Sequence, residues 1–113
     1  MPCIQVTTNK KMTLEDQERM KARFGKAIEL LPRKSEKWLM CIFRPESSMW
    51  FHGEQPDMAF LEVDVFGTLD QSCCSALTEE LMSIVNSELH IASDQIYIKY
   101  SETPNWGWAG KNF

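Results

Sequence analysis

The chain has 113 residues, of which 43% are hydrophobic and 25% charged, and a net charge of −4 at pH 7. That is one domain, residues 1–113, with a modest core and a size at which oligomerisation helps. The acidic balance speaks against a nucleic-acid surface, no apolar run reaches membrane-spanning length, and the first residues lack the basic-then-apolar layout of a signal peptide.

Met1-Pro2-Cys3-Ile4-Gln5-Val6 opens the chain as an apolar strand. Methionine ahead of so small a residue is normally excised, which would leave Pro2 as the terminal residue. Inside a chain, proline has no N–H and is no base. At the terminus its ring nitrogen is a titratable amine, and burial or a nearby cation lowers its pKa toward neutrality. Many chains begin Met-Pro only because the pair is processed well, so this feature needs company.

Thr13-Leu14-Glu15-Asp16 has the capping pattern of a helix start. Met20, Phe24, Ala27, Ile28 and Leu31 recur at steps of three and four, which predicts a helix of roughly five turns ended by Pro32. Trp38 to Phe43 is a continuous apolar run and reads as a strand buried on both faces. Met49-Trp50-Phe51 reads as a short edge strand. From Met58 to Phe66 residues alternate, with Leu61, Val63 and Val65 on one face and Glu62 and Asp64 on the other. Those two acids could pair in catalysis, but a solvated face or the wall of a wet channel between subunits accounts for them equally. Thr68-Leu69-Asp70-Gln71 offers a second capping box. Cys74, Leu77, Leu81, Ile84 and Val85 then form a second helical stripe, and Gln95 to Tyr100 a last strand.

Strand, helix, strand thus occurs twice. Two βαβ units give an α/β (α+β) domain: a four-stranded mixed sheet with both helices on one face. Its exposed strand edges call for cover, which a closed cyclic oligomer supplies. Cys3, Cys41, Cys73 and Cys74 contain no Cys-x-x-Cys pair, so reduced thiols in a cytoplasmic protein are expected. His52 and His90 have no ligand spacing, and no metal is expected.

The C-terminal Asn105-Trp106-Gly107-Trp108-Ala109-Gly110-Lys111-Asn112-Phe113 carries too many aromatics for a frayed tail. Taken with Met1-Pro2, the Lys34…Trp38-Leu39-Met40 segment, Met49-x-Phe51-x-Gly53 and Tyr97-Ile98-x-Tyr100, it makes the whole chain resemble the macrophage migration inhibitory factor family of the tautomerase superfamily. The resemblance implies a homotrimer and a cofactor-independent keto–enol tautomerase. Its substrates would be small aromatic α-keto acids, phenylpyruvate-like, or dopachrome-like compounds. Pro2 matches the catalytic base. Lys34 matches the pocket lysine that depresses its pKa and receives the substrate carboxylate. Trp38, Phe66, Trp108 and Phe113 match pocket positions, and Tyr97 and Lys99 would reach the site of a neighbouring subunit. Lys99 stands where asparagine is common, adding a second cation. The usual Gly-Lys-Pro reads Arg33-Lys34-Ser35, so Arg33 is placed to share the lysine's role.

Each of these residues also has a plain structural reading: a solvated charge for Lys34, core packing for Trp38 and Phe66, a subunit contact for Tyr97 and Trp108. The alternative function is an extracellular signalling protein with a cell-surface receptor, exported without a signal peptide. The vertebrate factor's acid–arginine pair is only half present, as Glu46 with Met12 beside Lys11. Its Cys-x-x-Cys falls on Met58 to Leu61, so no thiol–disulfide exchange is expected there.

Overall fold

Alternation along the first strand puts Ile4, Val6 and Thr8 in the interior and leaves Gln5 and Thr7 on the other face. In the computed structural model, which describes residues 1–113, this strand, β1 (Pro2–Thr8), is a central strand of the sheet. The other strands are β2 (Met40–Arg44), β3 (Ala59–Phe66) and β4 (Ile96–Thr103), in the order β2-β1-β3-β4. β1 runs parallel to β2 and antiparallel to β3, with Cys3 opposite Met40 and Pro2 opposite Val65. β4 lies parallel to β3 from Ala59↔Ile96 to Phe66↔Thr103. Proline is tolerated as the first residue of β1, where a missing ladder donor matters least.

Helix α1 (Leu14–Ala27) follows β1, and α2 (Gln71–Leu89) follows β3. Their apolar stripes share one core with the sheet: Met20, Phe24 and Ala27 from α1, Leu77, Leu81, Ile84 and Val85 from α2, against Ile4, Val6, Leu61, Val63 and Val65. The doubled βαβ plan with both helices on one face is therefore present. Arg19 and Arg23 of α1 both pair with Glu88 of α2, at 2.9 and 3.2 Å. Such exposed pairs add little beyond alignment.

The Thr13 capping box forms in full. Its hydroxyl accepts from the Asp16 N–H, and the Asp16 carboxylate accepts from the Thr13 N–H, each at 3.0 Å. Thr13→Ala should lower stability by about 1 kcal/mol, read as an earlier denaturant midpoint at unchanged slope. These bonds hold the Asp16 carboxyl below its ordinary pKa. Its contribution is therefore present above the unfolded-state value and fades as pH falls through the folded one.

Five local expectations need correction. α1 stops at Ala27, and Ile28–Leu30 tightens into a 3-10 turn before Pro32. Trp38 belongs to another such turn, Glu36–Trp38, and the strand after it is a sheet edge. Cys41 and Phe43 of β2 pack on the core, but Met40 on the other face stays 62% exposed, so β2 is not buried on both faces. Apolar residues on both sides of a strand report what each face tolerates; one chain supplies cover for only one. Met49-Trp50-Phe51 makes no strand, only a single bridge from Phe51 to Glu54. Ahead of α2, Asp70 is the cap residue but makes no capping bond to the backbone, because its carboxylate accepts from the Ser72 hydroxyl and the Cys73 thiol. Cys73 and Cys74 are both half-buried, but it is Cys73 that packs on the core.

All four thiols are unpaired. Cys3 and Cys41 sit one register step apart on β1 and β2, so their side chains point to opposite faces and cannot bridge. Burial pushes the Cys41 thiol up to about 11, which leaves it inert. No helix is long and apolar enough to cross a membrane.

Candidate active site

The start of β1, the end of β3 and the turn after α1 meet at one end of the sheet. Two hydrogen bonds tie them together. The Phe66 N–H donates to the Met1 carbonyl at 3.1 Å, and the Lys34 ammonium donates to the Phe66 carbonyl at 2.8 Å. Lys34 is half-buried and reaches this point because Pro32 ends the helical path and the Lys34 N–H turns back to the Leu31 carbonyl at 3.2 Å. Beside these groups opens a cleft of about 770 Å³, walled by Met1, Leu31, Arg33, Lys34 and Phe66 and closed by the 67–70 segment. That is the size of a small-molecule site.

The terminal amine, here on Met1, is held below its ordinary value of 8.0, first by burial and then by the charge and hydrogen bonding of Lys34. Pro2, one residue further in, is buried. Burial and a cation both disfavour an ammonium.

Arg33, on the same wall, has φ +64°. A β-carbon in that left-handed region costs about 1 kcal/mol, and glycine is the residue that adopts it freely. Arg33 thus holds with strain a turn that glycine would adopt freely. The Arg33 guanidinium makes no hydrogen bond or ion pair within the chain.

The C-terminal segment folds back over the same end as a hairpin, β5 (Gly107–Trp108) and β6 (Lys111–Asn112). Its two-residue turn, Ala109-Gly110, has positive φ at both positions, as such hairpin turns require. The Phe113 N–H donates to the Trp106 carbonyl at 2.8 Å and pins the last residue. Trp108 then meets Trp38 edge-to-face at 5.0 Å between centroids, and Phe113 lies 6.4 Å from Trp108 and 5.9 Å from Phe66. Four aromatics from three stretches of sequence form one cluster beside Lys34. Lys37 sits over the Trp38 ring at 5.1 Å and is engaged there.

A model of the macrophage migration inhibitory factor (MIF) family matches residues 1–113. The chain belongs to this family. Among solved structures, Leishmania major MIF2 superimposes with a TM-score of 0.94 at 24% identity, covering 100% of this chain and 97% of that one. An MIF-like protein from Entamoeba histolytica gives 0.87 at 18% identity, with 99% and 98% covered. The homologue from Prochlorococcus marinus gives 0.83 at 23% identity, with 98% of each chain covered. These likenesses establish the fold. No curated protein matches the sequence at a significant level.

Within the single chain the residues singled out in the sequence fall into two groups. Pro2, Lys34, Phe66, Trp38, Trp108 and Phe113 gather at the cleft end. Tyr97 and Lys99 do not. Tyr97 is opposite Phe60 and Pro2 opposite Val65, five positions apart along β3, or about 17 Å. Tyr97 instead meets Phe51 edge-on at 4.8 Å and lines a separate apolar hollow with Met49 and Trp50. Lys99 pairs with Glu62 at 3.6 Å and lies over the Phe60 ring. Asp64 accepts from the Gln5 side-chain amide at 2.9 Å, so neither acid of β3 stands free to pair with the other. The cleft wall at Thr68-Leu69-Asp70 went unnoticed in the sequence; Gly67 breaking a strand ahead of a helix was its only signal.

Proposed function

We propose that this MIF-family protein is a cofactor-independent keto–enol tautomerase of small aromatic α-keto acids, phenylpyruvate-like, with Pro2 as its base once Met1 is removed. The observation that carries this reading is the Lys34 ammonium, bonded to the Phe66 carbonyl beside the start of β1, where burial and then Lys34 hold the Met1 amine below its ordinary value. A substrate carboxylate would settle against Lys34 with its ring on the Phe66, Trp108 and Phe113 cluster. That places the carbon next to the keto group near the Pro2 nitrogen. The free amine takes a proton from that carbon and returns it to the oxygen of the enolate. One base and one anchored anion suffice for this transfer.

The reading includes a homotrimer. Met40 and Tyr97 on the sheet, and Trp50 in the loop beside it, are each more than 60% exposed in the single chain and need cover. In a trimer the neighbour's Tyr97 and Lys99 would complete the cleft. We place the protein in the cytoplasm, where its thiols stay reduced. The signalling alternative has less to stand on: Met12, at the second position of the receptor-contact pair, is buried in the core.

The test is an enol-to-keto assay on phenylpyruvate, with intact mass establishing that the chain begins at Pro2 and light scattering giving the assembly. Turnover by a trimer is expected. A monomer, or a trimer with a free Pro2 and no activity on aromatic keto acids, removes the reading.

A further inference from the structure

Two cations on consecutive residues face the cleft, and they are not in the same condition. The Lys34 ammonium is held by the Phe66 carbonyl, and its position beside the chain start suits it to a carboxylate next to the reacting carbon. Arg33 lines the same cleft with nothing bonded to its guanidinium. The one acid on the cleft wall, Asp70, already accepts from Ser72 and Cys73. Lys99, the other candidate for a second cation, is paired with Glu62, and Lys37 lies on Trp38. The cleft therefore presents one engaged cation and one free, planar, two-pronged cation on the same wall.

We propose that Arg33 is a specificity-determining residue that selects dianionic substrates: aromatic or unsaturated α-keto acids carrying a second carboxylate at the end remote from the reacting carbon. This rests on the tautomerase reading for its chemistry and adds the substrate class. Lys34 takes the carboxylate of the keto acid, and the Arg33 fork takes the distal one through two parallel hydrogen bonds. A guanidinium matches a carboxylate in that way where an ammonium acts only as a point charge. A monoanionic substrate leaves Arg33 in water, so the discrimination lies in the contact that only the dianion makes.

Arg33→Gly is the variant of choice, because glycine takes φ +64° without strain and the turn keeps its shape. Two measurements are made on the chain beginning at Pro2: kcat/KM for phenylpyruvate and for its para-carboxy derivative, and calorimetric binding of cinnamate and para-carboxycinnamate. The native protein is expected to favour the dicarboxylate in both. Arg33→Gly should reduce kcat/KM and affinity for the dicarboxylate by roughly 10- to 100-fold, with a much smaller loss for the monoacid. Arg33→Lys should recover part of it. An equal loss for mono- and dicarboxylate, or no native preference for the dicarboxylate, overturns the assignment. If neither keto acid turns over but Arg33→Gly still abolishes the binding preference, the tautomerase reading falls and the anion site stands. If both turn over and Arg33→Gly changes nothing, the reverse holds.

Discussion

A chain carrying any residue ahead of Pro2 should lose keto–enol turnover by roughly 10²- to 10⁴-fold, the range that a positioned general base contributes. An amide nitrogen in a proline ring has no basic lone pair, so an extension does not weaken the base; it removes it. The Met1 amine is no substitute, although it lines the cleft and titrates below 8.0. It sits a full residue along the chain from the Pro2 nitrogen, and misplacement by 1 Å already costs about 10²-fold. The comparison needs three samples: the processed chain, the chain with Met1 retained, and Pro2→Ala processed to a free amine. Pro2→Ala keeps an amine but loses the ring that fixes its direction, and should fall in between. Equal melting temperatures would show that the effect lies in chemistry and not in folding. Equal rates for the extended and processed chains would end the assignment of Pro2 as base.

Lys34→Ala should reduce kcat/KM for an aromatic keto acid by about 10- to 100-fold at pH 7 through the lost charge-assisted bond to the carboxylate. A second effect adds to this and has a definite sign. Lys34 lowers the pKa of the Met1 amine; beside a terminal Pro2 the same cation should act in the same direction, so its removal raises the pKa of the base. The acid limb of the pH–rate profile then moves to higher pH, and more of the base is protonated at neutrality. Burial, the larger cause for the Met1 amine, also surrounds Pro2 and persists in the variant, so the base should remain below its ordinary value. The deficit of the variant should therefore shrink as pH rises past the amine pKa, and what survives there measures carboxylate anchoring alone. An acid limb that does not move would place Lys34 too far from the base to act on it. The variant also loses the bond to the Phe66 carbonyl, worth about 1 kcal/mol of stability, which is small enough to leave the fold intact.

The two predictions draw on different kinds of information. That Pro2 heads a strand and that Lys34 follows a helix could be read along the chain, since alternation and three-four spacing are local signals. The period-two pattern of Met58 to Phe66 survives intact in β3, where Leu61, Val63 and Val65 are fully buried. The Thr13 capping box also forms as written, because all its atoms lie within four residues. Its apparent twin at Thr68 does not form, because the helix starts at Gln71 with Asp70, not Thr68, as the cap residue.

By itself, then, the sequence determined the doubled strand–helix–strand order, the faces of β1 and β3, the membership of the core and the family, since each rests on periodicity or on motifs in fixed order. Only the tertiary structure decided that Trp38, Phe66, Trp108 and Phe113 share one cluster, that Tyr97 lies far from Pro2 along the sheet, and that Arg33 is the unpaired cation where Lys99 is neutralised. Spacing along a chain reports which side of an element a residue occupies. What stands opposite it depends on strand register and on how the hairpin folds back, and no single segment encodes either.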